Sequence, residues 1–291
     1  MSRYRGVAGY LCLTVLLALL IPLAGCAAPQ QFPFCVEVLD VGQSDCTLIR
    51  QGDAVLLIDT GTATERSAVR GHLADRGIDR IDLLLLTHPH EDHIGNGRML
   101  LETYPVGALL LSPYTVEELG YDLVLNTAEQ RGVPQQIVQA GESYPLGEAW
   151  VEILFADAAM DANDASIVLR ITYGDTVFLF TGDATETAEA ALLANVPLEK
   201  LDCDFLKAGH HGSDLSTGEA LLRATTPEHV AISCGWQNSY GFPGEALLER
   251  LSVVGAEWHR TDTEGCLRYV SDGQRVSFVP AESIGGSFGG K

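Results

Sequence analysis

Basic side chains are scarce in this 291-residue chain: 18 Lys and Arg stand against 39 Asp and Glu, a formal net charge of −21. Sequence-independent affinity for nucleic acid comes mainly from Lys and Arg neutralising phosphates, so no stable basic surface for a nucleic-acid backbone is expected. Cysteine supplies no framework either. Seven are present and none forms a C-x-x-C pair, which removes a zinc knuckle or a dithiol redox motif. Cys46, Cys203 and Cys234 fall in apolar strand contexts and read as small core residues. No internal repeat is visible. The apolar run at residues 7–21 is shorter than the roughly 20 residues that a membrane-spanning helix needs. What is abundant is apolar side chain, 46% of the total, enough at this length to fill one large core.

The densest chemistry lies at residues 87–95, T-H-P-H-E-D-H-I-G, where His88, His90, Asp92 and His93 crowd together. They follow the apolar run at 81–86, whose length and composition predict a buried strand. Imidazoles and a carboxylate therefore emerge at a strand end, where a rigid scaffold can aim them. An extended backbone turns His88 and His90 the same way. N and O donors at this spacing suit zinc or a neighbouring divalent ion. A solvated His-rich loop is the bland reading, but three of the eight His in one loop directly after a core strand weigh against it.

H-x-H-x-D-H after an apolar strand resembles the signature of the metallo-β-lactamase fold. Four further motifs occur with it: Leu39-Asp40-Val41-Gly42-Gln43, Asp59-Thr60-Gly61, Thr181-Gly182-Asp183 and Gly209-His210-His211-Gly212-Ser213. Together they look like the metallo-hydrolase domain of ComEC-type competence proteins, over nearly all of residues 35–278. The resemblance implies an α/β fold, a four-layer αββα sandwich, with two divalent metal ions, zinc or manganese. It implies hydrolysis by an activated water, with a phosphodiester favoured as substrate.

The implied metal ligands are His88, His90, Asp92, His93, Asp183 and His210. Asp92 also holds the attacking water, and Asp59 orients the ligands from behind. By local pattern alone, Asp59 reads as an Asx-type turn former and Asp183 as a helix N-cap. Either His210 or His211 closes the second metal site, with His210 favoured. The other joins Lys207 and Ser213 on the substrate side, although a Lys inside a strand is often only an edge residue.

The chain departs from the pattern in places. Asn163-Asp164-Ala165-Ser166 lacks the metal-binding His of many members of the wider fold, so water, Ser166 or Asn163 would fill that position, and an oxygen-rich shell makes manganese a rival to zinc. In Asn238-Ser239-Tyr240-Gly241-Phe242-Pro243, Asn238 and Tyr240 are expected to face substrate, but Phe242 stands where the branch commonly has His. A second reading is a non-catalytic surface component of DNA uptake that keeps the fold.

At the amino terminus, Arg3 and Arg5 precede the apolar run, which ends in Leu23-Ala24-Gly25-Cys26. This resembles a bacterial lipoprotein signal. It predicts a signal peptide at 1–25, a diacylated Cys26 anchoring an extracytoplasmic protein to the membrane, a tether at 26–33, the catalytic domain at 34–280 and a flexible tail at 281–291. Loss of the signal would leave 16 basic against 39 acidic side chains, a charge of −23. Along the domain, patterning predicts strands at 54–58, 81–86 and 176–180, and a helix at 115–131 with Glu117 and Glu118 in its first turn. It further predicts terminal strands at 256–259, 265–270 and 276–279 that finish a second sheet.

Overall fold

Strands that are apolar on both faces need cover on both faces, and the chain provides it by sorting its strands into two sheets. The computed structural model describes residues 34–280. Cys26, the signal, the tether and the tail lie outside the described residues. The first sheet begins with β1 (Phe34–Val38), β2 (Thr47–Gln51) and β3 (Ala54–Ile58) as antiparallel hairpins. It continues in parallel with β4 (Ile81–Leu86), β5 (Val106–Leu111) and β6 (Gln135–Ile137). Parallel neighbours need crossovers. These carry α1 (Arg66–Asp75), then α2 (Glu91–Ile94) and α3 (Gly97–Thr103), then α4 (Leu119–Arg131).

The second sheet repeats the plan. β7 (Ser143–Leu146), β8 (Ala149–Phe155), β9 (Val168–Tyr173) and β10 (Thr176–Phe180) are antiparallel, and β11 (Phe205–Lys207), β12 (His229–Ile232) and β13 (Glu257–Arg260) run parallel to β10. The intervening helices are α5 (Glu186–Asn195), α6 (Glu219–Thr225) and α7 (Glu245–Val254). A single helical turn, α8 (Thr261–Glu264), follows β13.

Three apolar layers hold the sandwich together. Between the sheets, Val36, Ile49 and Leu56 meet Ile153, Leu169, Phe178 and Phe205. Outside the first sheet, Leu57 and Leu84 pack with Val69, Leu73, Leu100 and Val124 from the helices. Outside the second, Leu179, Leu206 and Val230 pack with Ala188, Leu192, Leu222 and Leu251. The result is the four-layer αββα sandwich that the motifs imply.

Two expectations need correction. The last strands, β14 (Leu267–Ser271) and β15 (Val276–Val279), do not finish the second sheet. They return to the first, where β14 pairs antiparallel with β1, Val36 opposite Tyr269. There they cover a long apolar edge and bury Leu267 and Tyr269 in the middle layer. Glu117 and Glu118 precede α4 rather than forming its first turn, since Glu118 is extended, with φ −131° and ψ 136°, at the N-cap.

Candidate metal centre

Segments that leave parallel strands emerge at a common end of the sheet, and the chemistry of this chain is gathered there. Asp59 follows β3, residues 87–93 follow β4, Asp183 follows β10, and His210 and His211 follow β11. Backbone hydrogen bonds tie these segments to one another: Ile167 N–H to Thr87 O at 3.0 Å, His210 N–H to Gly182 O at 3.1 Å and Asp45 N–H to Asp92 O at 3.1 Å. Left-handed backbone clusters at the same place, at Asp59 (φ 59°), His210 (φ 47°) and His211 (φ 54°). Non-glycine residues persist in that region only where the surroundings enforce it.

Buried Asp59 is saturated. Its carboxylate accepts from Thr87 N–H, Thr87 Oγ1 and His93 Nδ1, each at 2.8 Å. With Nδ1 donating, His93 turns Nε2 toward Asp183 Oδ2, 3.3 Å away. The local carboxylate thus selects the tautomer, as carboxylates behind metal-ligating His do. Asp92 Oδ2 lies 3.1 Å from His211 Nε2, which is itself 3.7 Å from Asp183 Oδ2. Asp92, His93, Asp183 and His211 offer ligand atoms that all lie within 4.8 Å of one another. His210 Nε2 stands at the same 3.7 Å from Asp183 Oδ2. Both His of the pair therefore reach the centre, and His211 rather than the favoured His210 belongs to the tight group.

His88 and His90 form the other flank. His88 Nε2 is 4.0 Å from Asp183 Oδ2 and 3.0 Å from His90 Nδ1. Ser166 does not stand beside them as an open ligand. Its Oγ accepts from Asp183 N–H at 2.9 Å and lies 3.2 Å from His88 Nδ1, so it holds both residues from behind. Asn163 contributes a backbone carbonyl to Ser166 N–H, and its buried Oδ1 has no hydrogen-bond partner.

Two residues expected on the substrate side, Lys207 and Asn238, are committed elsewhere, and Ser213 accepts one local hydrogen bond. Lys207 is 2% exposed, and its Nζ is paired with Asp45 Oδ2. Asn238 donates to Gly235 O and Phe242 O and accepts from the N–H groups of Tyr240 and Phe242, so its whole side chain is spent shaping its own loop. Ser213 Oγ accepts from Leu215 N–H in a local turn. Tyr240, by contrast, is 69% exposed, stacked on Phe242, whose ring meets His210 edge-on with centroids 5.7 Å apart. Two site residues were missed from the pattern. Thr87 directly precedes the H-x-H-x-D-H motif and could have been suspected from that; Asp45 stands just past the Gly42-Gln43 turn and reads there only as a strand start.

The electrostatics favour positive charge, carried by protons on His93 and His211 or by a metal ion that displaces them. Burial pushes the His88 pKa well below its usual value, and the neighbouring His93 adds to this, so His88 is neutral, as a ligand must be. Burial opposes ionisation of Asp183, yet His93 and His211 outweigh it and hold the carboxyl well below the usual range. Burial likewise disfavours charge on His211, but Asp183 and Asp45 raise its pKa to about 9. The fit to a metal is testable on the unpaired atoms: His93 Nε2 and Asp183 Oδ1 are both buried without a hydrogen-bond partner. Buried polar atoms are rarely left so, and two electron-pair donors without a proton to accept suit a bound cation.

The sequence profile of the metallo-beta-lactamase superfamily matches residues 39–236. The chain belongs to that superfamily. The metallo-beta-lactamase domain here is 31% identical to ComE operon protein 3 of Bacillus subtilis, over 80% of this chain and 32% of that protein. It is also 31% identical to competence protein ComA of Neisseria gonorrhoeae, over 80% and 32%, and 30% identical to recombination protein 2 of Haemophilus influenzae, over 80% and 28%. The chain thus spans about a third of the length of these relatives. Among solved structures, CmlA, a diiron beta-hydroxylase from Streptomyces venezuelae, superposes with a TM-score of 0.54 at 16% identity, covering 87% of this chain and 55% of that one. The metallo-beta-lactamase fold protein YhfI from Bacillus subtilis gives 0.52 at 13% identity, covering 80% and 99%. At such identities the structural likeness speaks for the fold alone.

Proposed function

We propose that this metallo-beta-lactamase domain is a hydrolase that holds two divalent ions, zinc or manganese, and cleaves a phosphodiester, in a nucleic acid or in a cell-envelope polymer. The observation that carries the proposal is the pair of buried, unpartnered atoms, His93 Nε2 and Asp183 Oδ1, within the cluster of Asp92, His93, Asp183 and His211. His88, His90 and Asp183 would hold one ion, and Asp92, His93, Asp183 and a His of the 210–211 pair the other. Ions held there would supply an activated water and a counter-charge for a phosphoryl oxygen.

The protein's own part is positioning. Asp59 fixes the His93 tautomer and Ser166 steadies His88 and Asp183. Asp92 has the one partly open side chain of the tight group, 33% exposed, so it is placed to hold a water molecule and accept its proton. The names of the relatives, one of them a competence protein and one a recombination protein, support a substrate related to nucleic acid; the acidic chain supports a small one. Retention of every implied ligand apart from the His that Ser166 replaces disfavours a non-catalytic surface component of DNA uptake.

The test is metal analysis together with turnover of a bis-aryl phosphodiester, zinc and manganese compared. Close to two ions per chain with turnover is expected. Occupancy near zero after reconstitution would overturn the proposal.

A further inference from the structure

Asp45 lies where four segments of the site converge. Its backbone N–H donates to Asp92 O, and its carbonyl accepts from Gly61 N–H at 2.8 Å. Its side chain reaches across to the other sheet, with Oδ2 paired to Lys207 Nζ and Oδ1 3.2 Å from His211 Nδ1. Ser233 O stands at the same 3.2 Å from that nitrogen, so both neighbours of Nδ1 are acceptors. They keep a proton on Nδ1, so Nε2, which faces Asp92 and Asp183, is the nitrogen that would give its lone pair to a cation.

We propose that Asp45 is the positioning residue of His211, and that Lys207 is its counter-charge rather than a group that meets substrate. A carbonyl such as Ser233 O could set the tautomer alone. A carboxylate adds a negative charge behind the ring, which makes Nε2 a better donor to a cation. The same carboxylate is costly to bury by itself, and Lys207, buried and bonded to its other oxygen, offsets that cost. Asp45 faces His211 from the β1–β2 loop as an ion-pair partner, its buried Oδ1 without a hydrogen bond of its own, whereas Asp59 at the end of β3 accepts directly from His93 Nδ1.

The inference rests on the proposed metal centre, and its test separates the two. Zinc and manganese are titrated into metal-free wild type, Asp45→Asn and the double variant Asp45→Asn/Lys207→Met, in competition with a chromophoric chelator. Thermal melting of each metal-free protein is recorded alongside. Asp45→Asn is expected to keep one ion at wild-type affinity and to bind the other about 10- to 100-fold more weakly. It also melts lower, because Lys207 loses its partner. The double variant removes that orphaned charge, so its melting temperature recovers while the deficit in the second ion remains. A double variant that takes up both ions like wild type would overturn the inference and leave the metal centre standing. Wild type that takes up no ion would overturn both.

Discussion

Gly182 offers a sharp test of how tightly the centre is packed. It sits between Phe180, the end of β10, and Asp183, with φ +54°; a Cβ there would lie 2.8 Å from Ser166 Cβ and Oγ and 3.1 Å from Thr87 Cβ. Neither neighbour can yield freely. Ser166 holds Asp183 N–H, and Thr87 is bonded twice to Asp59. Gly182→Ala therefore combines a left-handed L-residue, about 1–2 kcal/mol, with overpacking, about 1–3 kcal/mol. The total is about 2–5 kcal/mol. Gly255, at the end of α7, is the control: φ is +78° but nothing lies within 4 Å of its added Cβ, so Gly255→Ala carries only the backbone part. For a domain of this size each kcal/mol moves the melting temperature by about 2–4 °C. Scanning calorimetry of the metal-free variants should then show a loss of about 4–20 °C for Gly182→Ala and about 2–8 °C for Gly255→Ala. Metal uptake should fall only in the first. Equal losses, or unchanged metal uptake by Gly182→Ala, would refute the claim that Thr87 and Ser166 clamp this turn.

Three further outcomes are expected. Asp59→Asn keeps the shape but offers an N–H where His93 Nδ1 needs an acceptor, so affinity for the ion at His93 should drop about 10- to 100-fold by calorimetric titration; unchanged affinity would show that Asp59 is only a turn former. Burial raises the Glu189 carboxyl to about 7, against the backbone N–H groups of Thr217 and Gly218 that favour its ionised form. Its folded pKa lies above its ordinary 4.5, so the native state binds more protons between the two: this share of stability, up to roughly 3 kcal/mol, is present below pH 4.5 and lost as pH rises to about 7. Denaturation of Glu189→Gln at stepped pH should show a flatter profile over that window, and parallel profiles would contradict the sign. Finally, repulsion between long duplex DNA and an acidic body acts over a Debye length of roughly 8 Å at physiological salt. Duplex cleavage should therefore improve from low to moderate salt while kcat/KM for a small phosphodiester barely changes, and cleavage that is fastest at low salt would reveal a local basic path.

Local chemistry made much of this protein legible from its sequence. The strands at 54–58, 81–86 and 176–180 have the same bounds in the structure because each is a short apolar run closed by turn residues, a signal contained within the segment. Residues 88–93 cluster in space because they cluster in sequence. Partnership across the sheets is another matter. Periodicity announced strands near 267 and 276 but could not say that β14 would pair with β1, since pairing depends on which edge is free once the core has formed. The meeting of Asp45, Lys207 and His211 has the same origin: Asp45 and Lys207 are 162 residues apart, and neither has a local pattern that names the other. Asn238 reads as a substrate contact from the motif it opens at 238–243, and only the folded loop shows all its donors and acceptors spent on its own backbone. Residue types and their spacing determine which ligands exist and which strands carry them. The tertiary structure decides which charges are buried against one another, because burial and pairing are properties of the assembled sheets.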